Sequence, residues 1–206
     1  HAFTARYNTY YNGSEAYKEG MLAQEKANKD NYMQTLPYFP IGNKKTVGSG
    51  SGNFDVAIEK SQKAIKQHSI KKKPKRKAGE KKTEKLIRWY AKKEYNPFIH
   101  QAWFLMAKAQ FQKGEFLEAA STFSYISRLY VNEPDKVAEA RLWMARCYTE
   151  LEWYYDAEDV LNKAARDSMP RKLEGELSAT YSNFLLRQGR FNEALPYLEK
   201  AVRKEK

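Results

Sequence analysis

Gly114-Glu115-Phe116-Leu117-Glu118-Ala119 returns as Glu152-Trp153-Tyr154-Tyr155-Asp156-Ala157 and again as Gly189-Arg190-Phe191-Asn192-Glu193-Ala194. In each phrase an aromatic residue precedes an alanine by three positions, and the three alanines are 38 and 37 positions apart. A period of that size belongs to stacked helical hairpins. Upstream of each phrase runs an apolar stripe at helical spacing: Ala102, Trp103, Met106 and Ala107; then Ala140, Met144, Ala145 and Tyr148; then Leu177, Tyr181, Ser182 and Leu185. A second stripe follows each phrase: Ala119, Phe123, Ile126 and Leu129; Ala157, Leu161 and Ala164; Ala194, Leu198 and Ala201. Each unit therefore predicts two helices. Ala107, Ala145 and Ser182 opposite Ala119, Ala157 and Ala194 let the paired helices approach closely, where larger side chains would force them apart. Asn96-Pro97, Pro134 and Pro170 read as helix openings with Pro at the first helical position. Gly114 and Gly189 supply the left-handed residue that ends a first helix. Glu152 stands at the same place in the middle unit and predicts a turn made differently. Pro196 predicts a slight bend in the last helix.

Working outward, Gly52-x-Phe54-x-x-Ala57 with Ile58, Ser61, Ala64 and Ile65 reads as the second-helix half of another unit. Two further stripes, Tyr7, Tyr10 and Tyr11, then Ala16, Gly20, Ala23 and Ala27, predict a helix pair over residues 1–30 broken at Asn12-Gly13. Pro37, Pro40 and the run Gly48-Ser49-Gly50-Ser51-Gly52 mark 31–53 as an insertion. The organisation is thus a helix pair (1–30), an insertion (31–53), a half-unit (54–69), a basic insertion with a short helix (70–96), and three full units (97–133, 134–169 and 170–206). The expected fold class is all-α.

With 206 residues, 42% of them apolar and 14% aromatic, the chain can bury a core, which excludes a disordered or collagen-like chain. No apolar run approaches the length of a membrane-spanning helix. The net charge of +12 suggests nucleic acid until it is mapped: residues 66–93 hold thirteen Lys or Arg against two acids, eleven of the twelve net charges. Its densest part, Lys71, Lys72, Lys73, Lys75, Arg76 and Lys77, contains Pro74 and repels itself, so it predicts a solvated loop. Single-strand binding wants aromatic platforms between the charges, and none occurs in that loop before Trp89 and Tyr90. The patch therefore reads first as a solvated insertion, then as a contact for an acidic protein or for anionic lipid headgroups, and last as a nucleic-acid site on 66–93.

The lone Cys147 allows neither an internal disulfide nor a multi-thiolate metal site and reads as a small buried residue. His1, His68 and His100 lack metal-ligand spacing. The Gly-Ser run has no preceding strand and no Lys-Ser/Thr, so it is not a phosphate loop. No catalytic constellation, cofactor site or metal site is predicted. The chain opens on His1 without a signal sequence before it, as a processed chain would. At the other end, the Leu195, Leu198 and Val202 face predicts coverage by further repeats or a partner.

Trp103, Gly114, Phe116, Ala119 and Phe123 resemble the tetratricopeptide repeat, although the period here exceeds that family's ~34 residues and Arg141 and Ser178 replace the tryptophan. The resemblance implies a right-handed superhelix of helical hairpins carrying two loop insertions. Whole phrases, Tyr7 to Gly13, Glu15 to Gly20, Ala64 to Ile70, Asn96-Pro97-Phe98 and Ala145 to Tyr148, are similar to the tetratricopeptide lipoproteins of Bacteroidota of the SprE type. That likeness implies a non-enzymatic scaffold for protein–protein interaction on the periplasmic side of the outer membrane, in gliding motility or type IX secretion. A lipidated Cys before residue 1 would anchor it. A lipoprotein assisting outer-membrane protein assembly would look the same. Asp167-Ser168-Met169 resembles that phylum's O-glycosylation signal. In the family's arrangement Phe104, Lys108, Phe111, Gln112, Arg146, Asn183 and Arg187 would face a concave groove. Three cations among aromatics there imply an acidic, partly apolar partner belonging to an outer-membrane or secretion complex. Phe104, Leu142 and Ala179 stand where the chaperone-tail clamp of other members uses Lys, so a terminal carboxylate is not the expected ligand.

Overall fold

The computed structural model describes residues 9–75, 79, 81–167 and 169–205, and these form nine α-helices and no strand. They are α1 (Tyr11–Ala27), α2 (Ser51–His68), α3 (Glu84–Tyr90), α4 (Ile99–Lys113), α5 (Phe116–Leu129), α6 (Pro134–Glu150), α7 (Tyr154–Arg166), α8 (Glu174–Arg187) and α9 (Phe191–Glu205), with a short 3-10 turn, Arg171–Leu173, before α8. Helices α4/α5, α6/α7 and α8/α9 form hairpins, and each hairpin packs on the next through α5 on α6 and α7 on α8. The first hairpin is α1/α2, with α2 lying on α4.

The three hairpin turns share one set of backbone bonds. The Glu115, Trp153 and Arg190 N–H groups donate to the carbonyls of Gln110, Tyr148 and Leu185 at 2.9, 2.9 and 3.0 Å, and the preceding Gly114, Glu152 and Gly189 N–H groups donate to Phe111, Thr149 and Leu186. These bonds satisfy carbonyls that the helix end leaves open, at the cost of one residue in left-handed backbone. Gly114 (φ 93°), Glu152 (φ 62°) and Gly189 (φ 71°) all adopt it. The middle turn is therefore the same turn, made with a glutamate, and the expectation of a different one is corrected.

The predicted alanine positions coincide with the tightest packing. Ala107, Ala119, Ala145, Ala157, Ser182 and Ala194 are wholly buried. Around them, Phe111, Phe116 and Phe123 form one cluster with Cys147, and Leu161, Phe184 and Leu185 form another. Trp143 of α6 stacks on Phe123 of α5 with ring centroids 5.7 Å apart, which joins neighbouring hairpins. Removing a fully buried Phe from such a core costs about 3–5 kcal/mol.

The N-terminal half departs from the sequence reading in three places. Helix α1 runs unbroken through Asn12-Gly13, because Gly13 is not a breaker here but a contact: a Cβ on it would lie 3.1 Å from Lys60 Cβ of α2. Helix α1 is itself the first helix of the α2 hairpin, so the insertion between them is 28–50. Helix α2 begins at Ser51, within the Gly-Ser run, capped by Gly50 in left-handed backbone. Of the predicted openings, Pro134 starts α6, whereas α4 begins two residues after Pro97 and Pro170 precedes the 3-10 turn. Tyr7 and His1 lie outside the described residues.

Candidate interaction surface

The first helices of the hairpins, α4, α6 and α8, present the seven residues expected in a groove, and the structure brings them onto one surface. That surface is occupied. Residues of the 28–50 insertion lie along it, so Phe111, Gln112, Arg146 and Asn183 are buried rather than open to a partner. Phe39 lies under the Arg146 guanidinium, 4.2 Å from its ring centroid, and Trp143 flanks the same cation at 4.6 Å. Gly42 reaches so near Gln112 that a Cβ there would stand 2.7 Å from its Oε1. The Lys44 N–H donates to Glu150 Oε2 at 3.2 Å, and Leu36, Pro37, Asn43 and Lys45 border a cleft of about 90 Å³ with Asn183 and Arg187. From α1, Gln24 Nε2 donates to the carbonyls of Gln112 (2.7 Å) and Thr46 (3.3 Å), pinning the insertion to α4.

The insertion also satisfies itself. Thr46 Oγ1 accepts the N–H groups of Gly42 and Asn43 at 3.0 and 3.2 Å, and Asn43 Nδ2 donates to the carbonyls of Phe39 and Pro40. Gly42-Asn43-x-x-Thr46 is a turn signature legible in the sequence, since short polar side chains compete for nearby backbone groups. What no local signal could give is its docking place.

The three groove cations each have an acid of their own. Lys108 Nζ is 2.9 Å from Glu139 and lies over Phe104 and Trp143, Arg146 pairs with Glu176 and donates through Nε to Thr180 Oγ1 at 3.1 Å, and Arg187 is 3.3 Å from Glu150. Each cation expected to attract an acidic partner thus already has an acid beside it within the chain. Burial draws the Arg146 guanidinium below its ordinary value, and Glu176 opposes that shift. Burial likewise raises Glu150, against the charge of Arg187. The neighbouring Tyr17 hydroxyl is pushed up to about 12 by burial.

One part of the surface stays open: a depression of about 380 Å³ between α1, α4 and α6, bordered by Tyr10, Tyr17, His100, Gln101, Lys108 and Glu139. Phe104 forms its floor and is buried. Burial holds His100 below the usual imidazole range, and Lys136 adds to the effect. Glu133, in contact with Lys136 and Lys92, is held below the carboxylate range because those cations outweigh its burial.

Cys147 is fully buried and burial pushes its thiol well up, which makes it a packing residue. Among the described residues no group of three His, Cys, Asp or Glu is placed to hold a metal ion, and no helix is long and apolar enough to cross a membrane. The Gly-Ser run serves packing: Gly50 abuts the backbone of Gly20. In the basic loop Lys71, Lys72, Lys73 and Lys75 are exposed, while Arg76, Lys77 and Ser168 lie outside the described residues. No protein family matches the sequence, and comparison with curated proteins also finds no match.

Proposed function

We propose that this chain is a tetratricopeptide-type superhelix acting as a non-enzymatic scaffold for protein–protein interaction at the periplasmic side of the outer membrane, in gliding motility or type IX secretion. The observation that carries the scaffold reading is the repeated hairpin with one turn chemistry and one set of buried small residues at 119, 157 and 194. Hairpins stacked in this way build a long side surface from successive first helices, suited to holding an extended segment. The 28–50 insertion lying there illustrates that capacity within the same chain. A second protein would then engage what the insertion leaves uncovered, the depression between α1, α4 and α6. Motility and secretion rest on the resemblance of whole phrases to the SprE-type lipoproteins.

The test is affinity capture from native Bacteroidota envelopes with quantitative mass spectrometry, comparing the chain with a variant carrying Gln101→Trp and Lys108→Glu. Gln101 is exposed, so the tryptophan fills the depression without entering the core. Enrichment of secretion or motility components by the chain, reduced about ten-fold by the variant, is the expected result. Recovery of none of those components rejects the machine, and equal recovery by both chains rejects the depression.

A further inference from the structure

The chain leaves the helical stack after α2 at Ser69-Ile70 and rejoins it at Glu94 to Asn96, and these two ends are clamped together. The buried Glu94 carboxylate accepts the Ser69 hydroxyl and the N–H groups of Ile70 (2.7 Å) and Asn96 (2.9 Å), and Asn96 Nδ2 donates to the His68 carbonyl at 2.8 Å. Further along, Asn132 Nδ2 donates to the Ala91 carbonyl at 3.1 Å and Lys93 Nζ to the Arg128 carbonyl at 3.0 Å, fixing the returning end of the excursion to the end of α5. What this base holds out is α3.

Helix α3 buries none of its residues. Ile87 is 54% exposed and Trp89 38%. Leu86 and Trp89 border a shallow depression of about 710 Å³ together with Lys85, Arg88 and Lys92, while Ile87 borders a second of about 400 Å³ with Lys73 and Lys82. Among the described residues from 71 to 93 the single acid is Glu84, beside Arg88 at 3.6 Å. Apolar side chains and dense positive charge therefore share one protruding element.

We propose that this element is a peripheral docking site for a bilayer surface carrying anionic lipids, with the cations at the headgroup phosphates and Ile87, beside Lys73 and Lys82, entering the interfacial layer. Two weak signals combine: short apolar insertion is marginal alone, and a polybasic patch adds attraction that rises with each Lys or Arg near the surface. Tyr90 borders the same depression as Ile87, and tyrosine favours the interface because its ring is apolar and its hydroxyl polar. Nucleic acid fits less well. Ile87 has no face to stack on a base, and Trp89 meets Tyr90 at 4.9 Å and Tyr95 at 5.4 Å in T-shaped contacts, so these three rings do not form a parallel series of stacking platforms. An acidic protein would meet fixed charges, whereas Lys71 to Lys75 sit in irregular backbone, which suits a fluid array of headgroups. This surface is separate from the depression between α1, α4 and α6, so its success or failure is independent of the scaffold reading.

Co-flotation of the full chain with vesicles decides the matter, using phosphatidylcholine alone or with about one quarter phosphatidylglycerol. Binding to the anionic vesicles should exceed binding to the neutral ones about ten-fold and fall as salt shortens the screening length. Lys72→Glu with Lys73→Glu should abolish the difference, and Ile87→Asp should lower binding about three-fold or more. Both sets of positions are exposed, so helical circular dichroism should stay unchanged. Equal binding to both vesicles, no binding to either, or wild-type binding by Ile87→Asp would overturn the proposal. Tighter binding to a single-stranded oligonucleotide than to anionic vesicles at the same salt would overturn it in favour of nucleic acid.

Discussion

Glu152 sits at φ 62°, a backbone region where its Cβ crowds the following carbonyl, yet its N–H and that of Trp153 make the same bonds as their counterparts in the two glycine turns. The turn is imposed from outside: α6 and α7 are packed on their neighbours, and their ends can be joined by two or three residues in only a few ways. Glycine adopts this backbone without the penalty an L side chain meets. Glu152→Gly should therefore raise Tm by about 2–4 °C in thermal unfolding. The exposed contact between Glu152 and Lys44, 2.8 Å long, offsets little of this. A lowered Tm would mean that this contact, and not backbone strain, dominates at 152. The position of the turn was legible in the sequence because Trp153-Tyr154 and Ala157 keep phase with the other two units. Its conformation was not, since a glutamate gives no sign of left-handed backbone.

At the scale of elements, α1 and α2 form a hairpin although 23 residues separate them, and glycines hold them together. A Cβ on Gly20 would lie 2.6 Å from the Phe54 ring, and one on Gly50 would lie 2.6 Å from the Gly20 carbonyl oxygen. The second clash is with backbone, which cannot rotate away, and Gly50 also has φ 73°. Gly50→Ala should cost about 2–4 kcal/mol, read as a lower urea midpoint at unchanged m. Gly48→Ala is the control: it shares the positive φ but meets nothing within 4 Å, so its loss should be smaller. Equal midpoints for the two variants would show that the close approach of α1 to α2 is not what Gly50 provides. In the sequence Gly13 and Gly50 read as punctuation, because glycine marks a turn and a close contact with the same letter.

For the whole molecule, the 28–50 insertion covers the side of the hairpin stack, and its contacts come from distant parts of the chain. Replacing residues 34–46 by a Gly-Ser linker would remove Phe39 from Arg146, the Lys44 N–H from Glu150 and the Thr46 carbonyl from Gln24. Buried polar groups would lose partners and Phe111 would face water, so stability should fall by about 3–5 kcal/mol while helical content is kept. Binding of a hydrophobic dye should rise at the same time. Unchanged stability and dye binding would show that the insertion rests on the surface without contributing to it.

The hairpins, their period and their buried alanines were written in the sequence, because a helix that buries one face must repeat apolar residues every three or four positions, and that spacing is local. The inner surface was only half written. Phe111, Gln112, Arg146 and Asn183 were marked by the resemblance to the tetratricopeptide register, but the segment that covers them has no periodicity; it docks through the Lys44 to Glu150 bond, which spans 106 residues, and through Gln24 of α1, whose side chain joins Thr46 to Gln112, 88 residues away from it. Such pairings depend on where folded helices place a carboxylate or a carbonyl, and only the assembled structure decides that.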